Sequence, residues 1–158
     1  MLAYIFWHRP KADVDPTAYE NAQRAFHEKI DVPSGCFRLA RLPFAQNGGY
    51  EDWYLVDGWA ELGALNDAAI SAARRGDHDR AAGMAAGGWG SVYELARGPA
   101  EIPAGVTWCD KERGQPTGDF LDALDADAIW RRQLVLGPAP EFCLSASISD
   151  ERIAIWQH

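Results

Sequence analysis

Trp130 to Ile148 reads W-R-R-Q-L-V-L-G-P-A-P-E-F-C-L-S-A-S-I, and its shape decides how the rest of the chain is read. Two apolar, strand-like runs flank a turn built on Gly137-Pro138-Ala139-Pro140, because Gly and Pro break regular structure. An earlier stretch, Cys36 to Trp59, has a similar shape. There F-R-L-A-R-L-P runs into a Gly48-Gly49 turn and then into Y-E-D-W-Y-L-V-D-G-W. Each pair follows a strand and a helix-like segment that begins at a Pro-Thr step, Pro16-Thr17 in one case and Pro116-Thr117 in the other. Two related half-units are therefore expected, a first over residues 1–98 and a shortened second over 105–158, within a single domain 1–158.

The chain has 158 residues, 47% of them hydrophobic and 24% charged, an ordinary balance for one globular domain with a real core. Its net charge of −8 argues against nucleic acid, which needs clustered Lys and Arg. No apolar run approaches the roughly 20 residues of a membrane helix. No basic region precedes the apolar start M-L-A-Y-I-F-W, so a signal peptide is not expected. Three cysteines, Cys36, Cys109 and Cys143, form no C-x-x-C pair and sit in apolar runs. They are expected to be buried and reduced, which implies a cytoplasmic protein. Seven tryptophans are many for this length; they suit a core, or the wall of an aromatic pocket.

Leu2 to Arg9 is strand-like and apolar on both faces, with Leu2, Tyr4, Phe6 and His8 on one and Ala3, Ile5 and Trp7 on the other. Such a strand needs cover on two sides. Asp15-Pro16-Thr17 opens a helix whose apolar stripe is Ala18, Tyr19, Ala22, Ala25, Phe26 and Ile30. A second helix is expected over Ala60 to Ala73. A third is expected to run from His78 towards Leu95, although Gly83, Gly87, Gly88 and Gly90 interrupt it. Each interior Gly costs a helix about 1 kcal/mol relative to Ala. Either the helix bends or packs tightly there, or a ligand or a backbone passes too close for a side chain. After a Pro/Gly-rich connector, Val106 to Asp110 is a strand, Pro116 to Leu124 a short helix, Ser149-Asp150 a turn and Arg152 to Trp156 the last strand. The whole describes an α+β fold with a mostly antiparallel sheet and helices on one face.

Among the histidines, His8 stands out at the end of a strand, sharing a face with Tyr4 and Phe6. A neutral imidazole among aromatics suits a general base acting on a phenol or an acidic C–H. The structural alternative is a strand-end histidine bonded to backbone. His27, near a helix C-terminus, suits the helix dipole, and His78 sits in a polar helix start. No H-E-x-x-H or H-x-x-E-H spacing occurs, so no metal site of protein ligands alone is expected. Neither G-x-S-x-G nor G-x-G-x-x-G is present, which disfavours a hydrolase triad and a dinucleotide site. Haem asks for one axial histidine, which the sequence leaves open. Trp89 and Tyr93, with Trp53, suit either an aromatic wall or the core. Arg131-Arg132 places one guanidinium on each face of a strand, to pair with Glu141 or to orient a ligand carboxylate.

The run Y-I-F-W-H-R-P, the helix from Pro16, F-R-L-A-R-L-P and E-D-W-Y-L-V-D together resemble the ferredoxin-like half of the dimeric α/β-barrel superfamily. The likeness lies in the order of elements. It implies a barrel of two ferredoxin-like sheets, made by two chains or by two halves of one, with a pocket between sheet and helices. Members include cofactor-independent monooxygenases of aromatic polyketides, cyclases, isomerases and haem-degrading oxygenases. No member's catalytic set maps onto this chain residue by residue. The expectation that follows is an enzyme on a small apolar, aromatic or polyketide-like substrate that needs no dissociable cofactor. His8 would be its base, with Tyr4, Phe6, Trp89, Tyr93 and Arg131 around the ligand. The alternatives are a non-catalytic ligand-binding or structural barrel and a haem-binding oxygenase. Strand faces apolar on both sides lead to the expectation of a homodimer, which the internal duplication counters by offering a barrel closed within one chain.

Overall fold

The first strand, β1 (Leu2–Pro10), alternates as its sequence requires and is covered on both faces. A computed structural model describes residues 1–134, 137–148 and 151–158. There, β1 is followed by α1 (Pro16–His27), β2 (Ser34–Leu39), β3 (Gly49–Val56), α2 (Trp59–Ala69), α3 (Arg75–Met84) and β4 (Ala85–Arg97). The second part holds β5 (Gly105–Cys109), α4 (Thr117–Asp122), β6 (Ile129–Arg132), β7 (Phe142–Ala146) and β8 (Arg152–Gln157). All eight strands join one antiparallel sheet in the order β5-β7-β6-β4-β1-β3-β2-β8. The expected α+β class with helices against an antiparallel sheet is therefore present. The expected Ser149-Asp150 turn and the Val135-Leu136 end of the quoted strand lie outside the described residues.

In the first part the strand order is β4-β1-β3-β2, the split β-α-β arrangement of a ferredoxin-like sheet. Asp15 starts α1 by accepting a hydrogen bond from the Ala18 amide at 2.9 Å, with Pro16 at the first helical position. The helix turns Tyr19, Ala22, Gln23 and His27 to the sheet.

The third helix ends at Met84, well short of Leu95. Residues Ala85–Arg97 form instead a long strand paired with β1 from Leu2↔Glu94 to Pro10↔Ala85. The glycines that weaken a helix serve this strand by leaving room for rings from its neighbour. A Cβ on Gly88 would lie 2.2 Å from Cζ of Phe6, and one on Gly90 would lie 2.7 Å from the Tyr4 hydroxyl. Tight packing was one of the two readings of these glycines, but it occurs in a strand, across which aromatic side chains lie flat.

The sheet curls around its main core. On the concave side Ala3, Ile5, Trp7, Trp53, Leu55 and Tyr93 meet Trp130 and Cys143, with Trp108 packed against them. Four of the seven tryptophans thus belong to this core. Trp7 and Trp108 meet edge to face at 5.2 Å and Trp53 and Trp130 at 5.9 Å. Arg152, at the start of β8 on one sheet edge, donates to the carbonyls of Pro103 and Ala104 just before β5 on the other, at 2.6 and 3.0 Å. The two edges therefore approach each other. Helices α1, α2 and α3 cover the convex face, in two smaller clusters around Leu2, Val56 and Val92 and around Tyr19, Cys36 and Tyr50. Cys36, Cys109 and Cys143 are free thiols; Cys36 and Cys143 are buried, whereas Cys109 is only half-buried. Among the described residues no helix is long and apolar enough to cross a membrane.

A buried histidine–aspartate cluster at the floor of an aromatic cavity

Between the two convex-side clusters lies a cavity of about 620 Å³, the size that suits a small organic ligand. Tyr4, Phe6, Tyr54, Phe26, Leu62, Leu65 and Val92 give it apolar walls, and His8, Tyr19, Gln23 and Asp52 form its polar end. Helix α2 closes the outer side and has no buried residue; Trp59, at its start, is 54% exposed.

Alternation along β1 points His8 out of the concave core and towards α1, and alternation along β3 does the same for Tyr50, Asp52 and Tyr54. Asp52 lies between two imidazoles. Its Oδ2 is 3.1 Å from His8 Nε2, and its Oδ1 is 3.3 Å from His27 Nε2, reaching down from α1. All three side chains are almost wholly buried. Tyr54 donates its hydroxyl to Asp52 Oδ2 at 3.3 Å and lies flat against the His27 ring, centroids 5.2 Å apart. The other ring nitrogen of His8, Nδ1, is 2.5 Å from the Tyr19 hydroxyl, and that of His27 is 3.1 Å from Ser34 Oγ. The His8 ring is sandwiched between Phe6 at 5.7 Å and Tyr50 at 5.6 Å.

The electrostatics follow from burial and from Asp52. Burial pushes the Asp52 carboxyl up, but His8 and His27 outweigh it and hold the group well below the usual carboxylate range. Asp52 is therefore ionised. Burial, with the Asp52 charge second, raises the hydroxyls of Tyr4 and Tyr19, and raises Tyr54 and the Cys36 thiol strongly. Tyr50, beside Glu20, is pushed up by burial and by that carboxylate to about 12. Tyr19 thus keeps its proton and can donate it to His8 Nδ1, while His8 Nε2–H faces the carboxylate.

His8, Tyr4 and Phe6 come together at this cavity. Three other residues singled out in the sequence stand elsewhere. Tyr93 is buried on the concave side, where its hydroxyl donates to the Pro140 carbonyl at 2.7 Å. Trp89 is 39% exposed, packed edge-on against Phe44 with the Arg9 guanidinium over its ring. Arg131 is exposed on β6 opposite Glu94. Its neighbour Arg132 bonds the Ala139 carbonyl through its side chain, and its backbone amide, not its guanidinium, meets Glu141.

Asp52, His27, Tyr19 and Tyr54 carry the cluster and were not legible as site residues. The two carboxylates inside the otherwise apolar run Y-E-D-W-Y-L-V were the available signal, since a buried charge must be paired. His8 and His27 both turn Nε2 towards the Asp52 carboxylate on the buried floor. His78 lines the cavity too, with its Nδ1 3.2 Å from Asp79 Oδ1. No protein family matches the chain, and neither a curated protein nor a solved structure is detectably similar to it.

Proposed function

We infer that this protein binds a small, apolar, aromatic ligand and moves a proton on it. The observation that carries the reading is the run of close polar contacts Tyr19–His8–Asp52 at the polar end of an aromatic-walled cavity. A ligand hydroxyl or acidic C–H gives its proton to Tyr19 Oη while Tyr19 passes its own to His8 Nδ1. The imidazolium so formed is held by the Asp52 carboxylate. His27, bonded to Ser34, fixes the second carboxylate oxygen. The product is an enolate or phenolate in an aromatic-walled site, the intermediate shared by isomerisation, cyclisation and cofactor-independent oxygenation. A purely binding role differs only in that the bound ligand would not exchange its proton.

The fold reading belongs with this. The order β1-β3-β2 around α1 repeats as β5-β7-β6 around α4, and the Arg152 bonds bring β8 to the edge of β5, the place of a fourth strand. We read the chain as a barrel of two ferredoxin-like halves that covers its own core, so a homodimer is not needed for that cover. Light scattering at low micromolar concentration tests this, and a monomer is expected.

The test of function is deuterium exchange at the acidic C–H of an aryl β-diketone such as benzoylacetone, followed by proton NMR. Wild type should speed exchange by about 100-fold or more over the His8→Gln variant, the usual worth of a positioned base. Equal rates in two folded proteins that both bind the diketone would leave only the binding role. A haem reading has one observation in its favour, His78 with a carboxylate on Nδ1. Haem titration that gives a Soret band lost in His78→Ala would establish it.

A further inference from the structure

Three donors of different chemistry meet behind the cavity floor. Cys36 on β2 is in register with Asp52 on β3, and His8 on β1 stands diagonally to it, two residues beyond its register partner Phe6. One ligand atom from each lies within 4.8 Å of the other two, and all three residues are buried. Two polar atoms here, His8 Nε2 and Asp52 Oδ1, are buried without a well-directed hydrogen bond, although each faces an oppositely charged or chargeable group. Native interiors rarely leave such atoms unmatched.

We propose that His8 Nε2, Asp52 and Cys36 Sγ form a binding site for a divalent transition metal of the zinc class, with a fourth position open towards the cavity. Bond lengths of about 2.0–2.3 Å put the donors around one zinc roughly 3.3–3.6 Å apart. The His8–Asp52 contact of 3.1 Å nearly meets that already. The thiol need shift by only about 1 Å to complete it. The ligands sit on three neighbouring strands, each paired on both sides, which is a rigid support. The supporting contacts are present as well: Tyr19 at His8 Nδ1 fixes the ring so that Nε2 can face a metal, and His27 anchors the far carboxylate oxygen. A thiolate and a carboxylate neutralise the two charges of the ion, which removes the obstacle to burying it. Binding takes the His8 tautomer whose proton sits on Nδ1 and is donated to Tyr19 Oη, and it releases the Cys36 thiol proton to solvent; the sulfur ligand favours zinc or cobalt over magnesium or calcium.

This inference uses the same residues as the proton-transfer reading but does not depend on it. Both need His8 Nε2 and Asp52, so a bound metal takes the proton chain out of service. The experiment is cobalt(II) titration of chelator-treated protein, read by absorption. One equivalent per chain should produce visible bands of a four-coordinate ion and a thiolate-to-cobalt band in the near ultraviolet, both displaced by zinc. Cys36→Ala should abolish the thiolate band, whereas Cys143→Ala, equally buried on the concave side, should keep it. Absence of the band in wild type, or its persistence in Cys36→Ala, overturns the proposal. In the exchange assay zinc should slow wild type and leave Cys36→Ala unaffected. Loss of the cobalt signal with exchange intact refutes only the metal site, and the converse refutes only the proton chain.

Discussion

Glu51 and Asp52 are consecutive on β3, both buried and both carboxylates, yet the strand's alternation sends them to opposite sides of the sheet. Glu51 points into the concave core. It accepts from the indoles of Trp7 and Trp53 at 2.8 and 2.7 Å and from Arg152 Nε at 3.2 Å. The Arg152 guanidinium lies over the Phe37 ring, 3.3 Å from its centroid, and ties the two sheet edges together. These three partners of Glu51 are donors that do not change their charge at ordinary pH. Asp52 points to the cavity and is held by two imidazoles, which can take up and release protons. One carboxylate locks the fold; the other is the one the proposed proton transfer would use.

The largest effect should come from breaking the lock. Glu51→Ala leaves Arg152 buried without its counter-charge, which should cost about 3–5 kcal/mol of stability. Urea unfolding at neutral pH measures this, and a loss below about 1 kcal/mol, the worth of an exposed pair, would deny the lock its role. A smaller effect is expected at Gly88. Gly88→Ala drives a methyl into the Phe6 ring, with an overpacking cost of about 1–3 kcal/mol. It should also change the binding of an apolar dye in the cavity, because Phe6 forms its wall. Unchanged stability and dye binding would mean that the ring is not pinned there.

Smaller still is the acid response that separates the two carboxylates. The Asp52 carboxyl is held below its unfolded value, which is about 3.9. Below that pH the unfolded chain takes up a proton that native Asp52 refuses, so the stability Asp52 supplies is full above about pH 4 and drains away as the pH falls. Asp52→Asn lacks this component. Its unfolding midpoint should therefore fall less steeply than that of wild type on going from pH 5 to pH 2, values of about this range bracketing the transition. Parallel acid limbs would show that Asp52 is not held low.

Much of the frame was legible. Alternation in Leu2 to Arg9, apolar runs broken by Gly and Pro, and the paired Pro-Thr helix starts placed seven of the eight strands, because local patterning and capping are local physics. The long strand Ala85–Arg97 was not legible, since its glycines are made tolerable by Phe6 and Tyr4, about 80 residues earlier in the chain. The site was legible only in part. His8 with Tyr4 and Phe6 could be found from one strand's spacing. Asp52, Cys36, His27 and Tyr19 come from β3, β2 and α1, and their meeting depends on register, which no spacing rule encodes. The same limit applies to metal ligands: H-E-x-x-H lies on one helix, whereas His8, Asp52 and Cys36 lie on three strands.

On the proposed reading Asp52 sustains proton transfer, whereas Glu51 sustains the fold. Asp52→Asn keeps the shape of the side chain and removes its charge, so the variant should fold with native near-ultraviolet circular dichroism. Measured on that folded protein, exchange of the β-diketone C–H should fall by about 100-fold or more. Exchange at the wild-type rate in folded Asp52→Asn would contradict the claim outright.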